Sequence, residues 1–212
     1  MHGYWLEFSQ VALAHLLAVI SPGPDFAIVL KQSVTHGRRI AIWTSIGIGS
    51  AIFFHIAYSL LGLGLLIRSS PFWFNAVRYT GAAYLAWLGL QGLRAKPRDF
   101  SPVPTDRAGQ PLAASRAFAT GFLTNALNPK ATLFFVSLFV LLVSPDTPSI
   151  IRAAYGTWMA LGTMAWFSLV AVLFTQPEVQ RRFQRQAHWI DRILGLVLLG
   201  FAAALLFTSV KS

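Results

Sequence analysis

Six long apolar stretches run along the chain and are separated by shorter polar segments. Each stretch holds about 20 or more residues, which is the length that an α-helix needs to cross the hydrocarbon core of a bilayer. The pattern therefore predicts an all-α fold, a polytopic membrane protein of six transmembrane helices. The stretches cover about residues 8–30, 40–67, 74–93, 117–143, 150–174 and 190–209.

The composition supports this interpretation, because 55% of the 212 residues are hydrophobic and only 11% are charged. A soluble domain needs more polar surface than that. Six helices with short loops also use nearly the whole chain, so residues 1–212 are predicted to form a single transmembrane domain. A first half of about 5–93 and a second half of about 116–210 are joined by a cytoplasmic linker of about 94–115, which is rich in proline and charge.

The basic residues indicate how the helices are oriented. The formal net charge is +10, and most of the 17 lysines and arginines fall in the first, third and fifth loops. They flank apolar runs and do not form a basic patch with aromatic residues, so no nucleic-acid partner is predicted. The positive-inside rule places these loops in the cytoplasm and both termini on the non-cytoplasmic face. The absence of cysteine excludes disulfides, thiolate metal sites and cysteine nucleophiles.

Two of the apolar stretches are interrupted by proline. The first contains the sequence SPGP at 21–24, and the fourth contains Asn128-Pro129. Proline removes a backbone donor and clashes with the preceding turn, so each helix should unwind near the middle of the bilayer. Exposed backbone groups are tolerated there only when protein buries them or when they line a polar cavity. One isolated proline could simply kink a helix, whereas two breaks at matching positions favour a functional site.

The two halves of the sequence share an outline. Each has a broken helix, then an unbroken helix, and then a helix that contains an Arg-x-x-Gly signature, at Arg78 to Gly81 and at Arg192 to Gly195. Three helices per half is an odd number, so the halves should lie in the membrane with opposite orientation. This predicts a 3+3 inverted repeat with broken helices 1 and 4, a plan that many secondary transporters use.

An ionisable residue follows each break, Asp25 after the first and Lys130 after the second. A charge near the bilayer centre costs at least about 2.5 to 3.5 kcal/mol, so something must offset it. We expect Asp25 to lie at the N-terminus of a half-helix, whose dipole favours a carboxylate, and to pair with Lys130. Either residue could carry a proton. The alternatives are that Asp25 only caps a helix and that Lys130 snorkels to an interface.

Three further polar residues, Asn125, Asn128 and His55, are candidates for this site. Asn125 and Asn128 offer donors and acceptors that suit a zwitterionic ligand, although an asparagine before proline is also an ordinary helix cap. His55 could relay protons, or it could simply form a hydrogen bond to a neighbouring helix. Asp191 is expected at the start of the sixth helix, where it and the following arginine would cap and anchor that helix.

Three motifs together resemble the LysE/RhtB family of amino-acid exporters. They are SPGPDFAIVLKQSVTHGRRIAIWTSIGIGSA from residue 21, YLAWLGL from residue 84 and NALNPKATLFF from residue 125. The resemblance covers essentially the whole chain and extends to its size. The family's motif falls on Ser21, Pro22, Gly23, Pro24, Asp25, Gly37, Asn128, Pro129 and Lys130.

The resemblance implies efflux of amino acids or their derivatives from the cytoplasm, driven by the proton motive force, in a bacterial inner (plasma) membrane. The implied partners are a small-molecule substrate, protons and membrane lipid, with no cofactor. The small-residue stretches GIGSA and GFAAA would allow helix packing within one chain or in a homodimer. In the expected mechanism, the two breaks face each other at midplane, bind the ammonium and carboxylate of an amino acid, and rock to alternate access.

Two other classes of function are open to this sequence. A passive channel or an ion exchanger could use the same broken helices, with Asp25 and Lys130 selecting ions. An intramembrane enzyme is disfavoured, because neither HExxH nor GxSxG occurs, and no GxxxxGK[ST] motif indicates ATP binding. The sequence therefore predicts a transporter that is not an enzyme. Its motifs do not specify which amino acid is carried.

Overall fold

The computed structural model describes residues 2–69, 71–97, 112–144, 146–174 and 176–207. These residues form eight α-helices and no strand, which is the number expected from four continuous and two broken helices. Most of the predicted linker and the end of the sixth apolar stretch lie outside the described residues. The helices are α1 (His2–Ile20), α2 (Pro24–His36), α3 (Arg38–Ser69), α4 (Pro71–Leu93), α5 (Ala114–Ala126), α6 (Pro129–Leu142), α7 (Ser149–Leu173) and α8 (Pro177–Phe207).

Three helical segments of the described chain can each cross a membrane by length and composition, namely Arg38–Ser59, Ser149–Leu173 and Arg185–Phe207. The pairs α1 with α2 and α5 with α6 meet the same criteria as bent pairs, so the number rises to five if each pair is one span. The predicted third span is helical as α4 but is not one of these segments. The chain is thus a helical membrane protein, and the six-span inverted repeat stays a prediction.

Helix α3 lies at the centre and packs against α2, α5, α6 and α7. Its sequence GIGSA allows two of these helices to come close. A β-carbon on Gly47 would overlap the backbone of α5 at Phe118, and one on Gly121 would overlap the carbonyl of Thr44. Gly49 faces α7 in the same way. The predicted use of these small residues in close helix packing is therefore confirmed.

Helices α4 and α8, which end the two halves of the chain, pack against each other along a second line of glycines. A β-carbon on Gly195 would lie 2.7 Å from the carbonyl oxygen of Gly89, and one on Gly92 would lie 2.5 Å from the carbonyl oxygen of Asp191. By contrast, a β-carbon on Gly200, in GFAAA, would meet nothing within 4 Å. Gly195 of α8, with Gly89 and Gly92 of α4, therefore lets the backbone of α8, including Asp191, lie against α4.

Two apolar clusters fill the interior formed by the described residues. One joins α1, α3, α4, α6, α7 and α8 around Leu85 and Met159, and the other joins α2, α3 and α7 around Val29 and Ile48. The outer surface also carries many large apolar side chains, as a surface in contact with lipid should. Examples are Trp5, Leu13, Phe53, Trp87, Leu161 and Leu196.

Helix α8 begins earlier than its apolar stretch predicts. It starts at Pro177 with Glu178 in its first turn, an order that suits a helix N-terminus. The basic segment that follows is helical because arginine and glutamine are good helix formers, and because Phe183 stacks on Phe26 with ring centroids 4.9 Å apart. The prediction that Asp191 and the next arginine start a helix is therefore wrong, since both lie near the middle of α8.

Candidate functional site

The first break lies between α1 and α2, whose axes differ in direction by 52°. Helix α1 ends at Ile20, and α2 begins at Pro24 after the N-cap residue Gly23, whose backbone is extended (φ −153°, ψ −165°). Pro24 suits this position because the first turn of a helix does not need its missing amide. Asp25 then lies in the first turn of α2, where the helix dipole favours a negative charge.

The second break lies between α5 and α6, which are bent by 58°. Asn128 is the N-cap of α6, and its side-chain oxygen accepts a hydrogen bond of 3.0 Å from the backbone nitrogen of Lys130. Pro129 is the first residue of α6 and is exposed. Both breaks are where the sequence predicts them, and each is followed by a short helix that begins with proline and then an ionisable residue.

The two breaks meet in the folded chain, through side chains that the sequence predicts at the site. Asn125 Nδ2 donates a hydrogen bond of 2.9 Å to Asp25 Oδ2, and Asn128 Nδ2 lies 3.5 Å from the same oxygen. In the opposite direction, Lys130 Nζ donates to Ser21 Oγ over 3.0 Å. Lys130 also acts electrostatically on Asp25. The ammonium of the second break is thus held at the first break, and the carboxylate of the first break is held at the second.

The hydroxyl of Ser21 connects this cluster to α8. Ser21 Oγ accepts from Lys130 and donates a hydrogen bond of 3.0 Å to Asp191 Oδ1. Asp191 is buried, with 7% of its surface exposed. The site therefore contains a second carboxylate, which the sequence analysis assigned to helix capping.

His55 contacts the site from α3 and does not line either of the two cavities described below. Its Nε2 lies 3.1 Å from both the backbone oxygen and the side-chain oxygen of Asn125, so this nitrogen carries the proton. Its Nδ1 lies 2.7 Å from the hydroxyl of Tyr58, which also reaches the carbonyl of Thr132 at 3.2 Å. With neutral His55, the single hydroxyl proton of Tyr58 can serve only one of these acceptors, whereas protonated His55 satisfies both contacts. The predicted contact with a neighbouring helix is confirmed, and the relay role stays a prediction.

A narrow cavity of about 60 Å³ lies where the two breaks meet. Asp25, Asn125 and Asn128 line one part of it, and side chains from both apolar clusters line much of the rest. His15 and Thr163 add a second polar pair to the wall, with 3.0 Å between His15 Nε2 and Thr163 Oγ1. This volume suffices for a few water molecules, so the cavity suits a small ligand group.

A larger cavity of about 300 Å³ adjoins the first one. It lies beside the C-terminal end of α4, at Gln91 and Ala95, and Asp191 lines it from α8. Ser21 and Lys130 line both cavities and therefore stand between them, and the other shared residues are Gly23, Pro24, Leu88, Leu194 and Leu198. Pro22 lines the larger cavity.

His15, Thr163 and Asp191 belong to the site but were not predicted as site residues from the sequence. The available signal for His15 was a histidine within an apolar run, because polar residues inside the membrane are rare and need partners. Asp191 had a signal too, as it is an acidic residue directly before a long apolar stretch. No three histidine, aspartate or glutamate side chains of the described residues come together as a metal site would require.

Comparison with known proteins gives one family and several relatives. The family described as LysE type translocator matches residues 16–209. The threonine efflux protein of Salmonella typhi is 34% identical over 201 residues, which cover 95% of this chain and 98% of that protein. The threonine efflux protein of Escherichia coli strain K12 is 34% identical over 204 residues, with the same coverage of 95% and 98%.

A third relative carries a different substrate in its name. The leucine efflux protein of Klebsiella pneumoniae is 32% identical over 211 residues, covering 94% of each chain. No solved structure matches the chain significantly.

Proposed function

Because this chain belongs to the LysE type translocator family, we propose that it is a secondary active exporter that moves amino acids or their derivatives out of the cytoplasm. The family and the named efflux proteins make it a transporter and not an enzyme. Threonine and leucine, which relatives are named for, are the first substrates to test. The expected location is the inner membrane of a bacterium, with both termini on the non-cytoplasmic side.

The observation that carries the proposal is the meeting of two oppositely charged helix breaks at one cavity. Asp25 offers a carboxylate to the ammonium group of an amino acid, and Lys130 offers an ammonium to its carboxylate. Asn125 and Asn128, which contact Asp25, supply neutral hydrogen-bonding groups beside that charge. Facing half-helices with irregular backbone between them are how transporters build substrate sites near the bilayer midplane.

Alternating access needs a path that is open on one side and closed on the other. The larger cavity lies toward the end of α4 that leads into the basic linker, the side that the positive-inside rule assigns to the cytoplasm. At the other side, Glu7 of α1 accepts hydrogen bonds from the backbone nitrogen of Ser144 and the hydroxyl of Thr147, at 3.1 and 3.0 Å. These contacts join α1 to the loop between α6 and α7, so we take the present conformation as inward-facing.

Coupling to the proton gradient is assigned to Asp25. A proton that arrives from outside neutralises its carboxylate, which removes the charge that holds the substrate ammonium and favours release. The emptied site then returns and loses the proton to the cytoplasm. His55 is a candidate for carrying protons to this region, because it contacts Asn125, the partner of Asp25. We also expect that lipid surrounds the helices and that two copies of the chain form a homodimer.

The test is efflux from proteoliposomes that contain the purified protein and a panel of amino acids, with and without an imposed pH gradient. Export that accelerates when the outside is acidic supports a proton-coupled exporter and identifies the substrate. No movement of any amino acid, with ions passing instead, would favour the channel or ion-exchanger function and overturn the proposal.

A further inference from the structure

Lys130 and Ser21 stand between two cavities, and each cavity has its own carboxylate. Asp25 lines the narrow cavity and Asp191 lines the larger one. Ser21 links Lys130 to Asp191, because its hydroxyl accepts from Lys130 Nζ and donates to Asp191 Oδ1, both over 3.0 Å. One ammonium is therefore arranged to work with either of two carboxylates.

The larger cavity has the chemistry of a site for an α-amino acid headgroup. Lys130 Nζ and Asp191 Oδ1 lie within two hydrogen-bond lengths of each other, and the Ser21 hydroxyl bridges them. The ammonium and carboxylate groups of an amino acid are also close neighbours, so a zwitterion can replace that hydroxyl and bridge the same two residues. The larger cavity has a volume of about 300 Å³, against about 60 Å³ for the narrow cavity, so it can hold the side chain of the amino acid as well.

The position of Asp191 is well defined by the packing around it. Its backbone carbonyl lies against Gly92, at a line of glycines where α4 and α8 touch. Arg192 Nε also donates a hydrogen bond of 3.2 Å to the carbonyl of Ala95, beyond the end of α4. A buried carboxylate in a membrane-spanning segment is costly and marks a functional site by default. Helix capping does not account for it, since Asp191 lies in the middle of α8.

We propose that the larger cavity is a first binding subsite for the amino acid, in which Asp191 binds the substrate ammonium group and Lys130 binds the substrate carboxylate. The substrate then keeps its carboxylate on Lys130 while its ammonium group moves from Asp191 to Asp25 in the narrow cavity. This assignment rests on the proposed export of amino acids. It gives Asp191 a role in loading the protein from the cytoplasm and leaves translocation to Asp25.

The experiment measures efflux from proteoliposomes at graded internal concentrations of L-threonine, or of L-leucine if leucine is exported and threonine is not. Two analogues of that amino acid are loaded as inhibitors. The amide keeps the ammonium group but lacks the carboxylate, and the N-acetyl derivative keeps the carboxylate but lacks the ammonium group. The wild-type protein should be inhibited by both, because each analogue retains one of the two charged contacts.

Asp191→Asn should raise the half-saturating concentration by about tenfold, through loss of a charge-assisted contact, and leave the maximal rate unchanged. It should also lose inhibition by the amide and keep inhibition by the N-acetyl derivative. Asp146→Asn, which changes an exposed aspartate between α6 and α7, is the matched control and should behave as wild type. Ser21→Ala removes the bridging hydroxyl but neither charge, so it should retain inhibition by the amide.

Three results would overturn the subsite. They are an amide that does not inhibit the wild-type protein, Asp191→Asn with unchanged half-saturation and amide inhibition, and Ser21→Ala that reproduces both effects of Asp191→Asn. The last would show that Asp191 only holds Ser21 in place. A wild-type protein that the amide does not inhibit would overturn the subsite even if Asp191→Asn does not insert. If no amino acid is exported at all, the proposed function fails and the subsite with it.

Discussion

At the first break a glycine precedes the new helix and no side chain caps it, whereas at the second break the side chain of Asn128 accepts a hydrogen bond from the first turn. Both new helices begin with proline, and both place an ionisable residue second. That residue is acidic in α2 and basic in α6. The two breaks therefore share a backbone arrangement and differ in the charge and in the capping of the helix that follows.

The difference in charge separates local from tertiary stabilisation. A carboxylate at a helix N-terminus is favoured by the dipole, so Asp25 suits its own helix. An ammonium at the same position is disfavoured, so Lys130 depends on groups outside its helix, of which Ser21 at the opposite break is one. Lys130 is therefore placed for a partner or a ligand, since its local position in α6 does not favour it.

Removing the charge of the first break should have the largest effect on transport. Asp25→Asn keeps the shape of the side chain but can neither take up a proton nor attract an ammonium group with a full charge. We expect normal insertion in the membrane and loss of gradient-driven export, measured by efflux from proteoliposomes under a pH gradient. Asp146→Asn controls for the loss of one carboxylate, and gradient-driven export by Asp25→Asn at the wild-type rate would exclude Asp25 from coupling.

Removing the charge of the second break should weaken transport without abolishing its response to the gradient. Lys130→Ala deletes a charge-assisted contact worth about 1.5–3 kcal/mol, so the half-saturating substrate concentration should rise about tenfold or more. Concentration-dependent efflux measures this change. Lys31→Ala, at an exposed position of α2, is the matched control. Unaltered half-saturation in Lys130→Ala would remove Lys130 from substrate binding.

Removing the helix cap of the second break should have a smaller effect than removing either charge, and the effect should be on stability. Asn128→Ala removes the acceptor for the backbone amide of Lys130, and loss of such an N-cap costs about 1 kcal/mol. Thermal unfolding of the detergent-solubilised protein should therefore occur at a lower temperature than in the wild type. Asn128→Ser keeps a capping oxygen and should restore most of that loss. Equal melting temperatures for wild type and Asn128→Ala would mean that the cap does not stabilise the second break.

The smallest effect is expected at the glycine of the first break. Gly23 has an extended backbone that any residue can adopt, and a β-carbon there would come no closer than 4.0 Å to Lys130 Nζ or to the carbonyl of Ser21. Gly23→Ala should therefore insert, unfold near the wild-type temperature and export at a similar rate. Gly121→Ala is the contrasting control, because its β-carbon would overlap the carbonyl of Thr44 and force α3 and α5 apart. A large loss of stability in Gly23→Ala would contradict this account.

Much of the fold and part of the site follow from local properties of the chain. Apolar runs longer than a bilayer is thick predict helices in lipid, and proline predicts where two of them break, because a missing amide acts on its own turn whatever lies around it. Asp25, Asn128 and Lys130 could be selected as site residues for the same reason. Each is polar or charged beside a break, where burial must be compensated.

The partners of other polar residues were decided by tertiary structure alone. Ser21 meets Asp191 across 170 positions of sequence, and His15 meets Thr163 across 148. Such pairs depend on which faces of two helices touch, and that is set by backbone approach at glycines distributed along α3, α4, α5 and α8. The sequence by itself thus determined the helices, their breaks and the charges beside them. Only helix packing decided that two cavities, each with its own carboxylate, share one lysine.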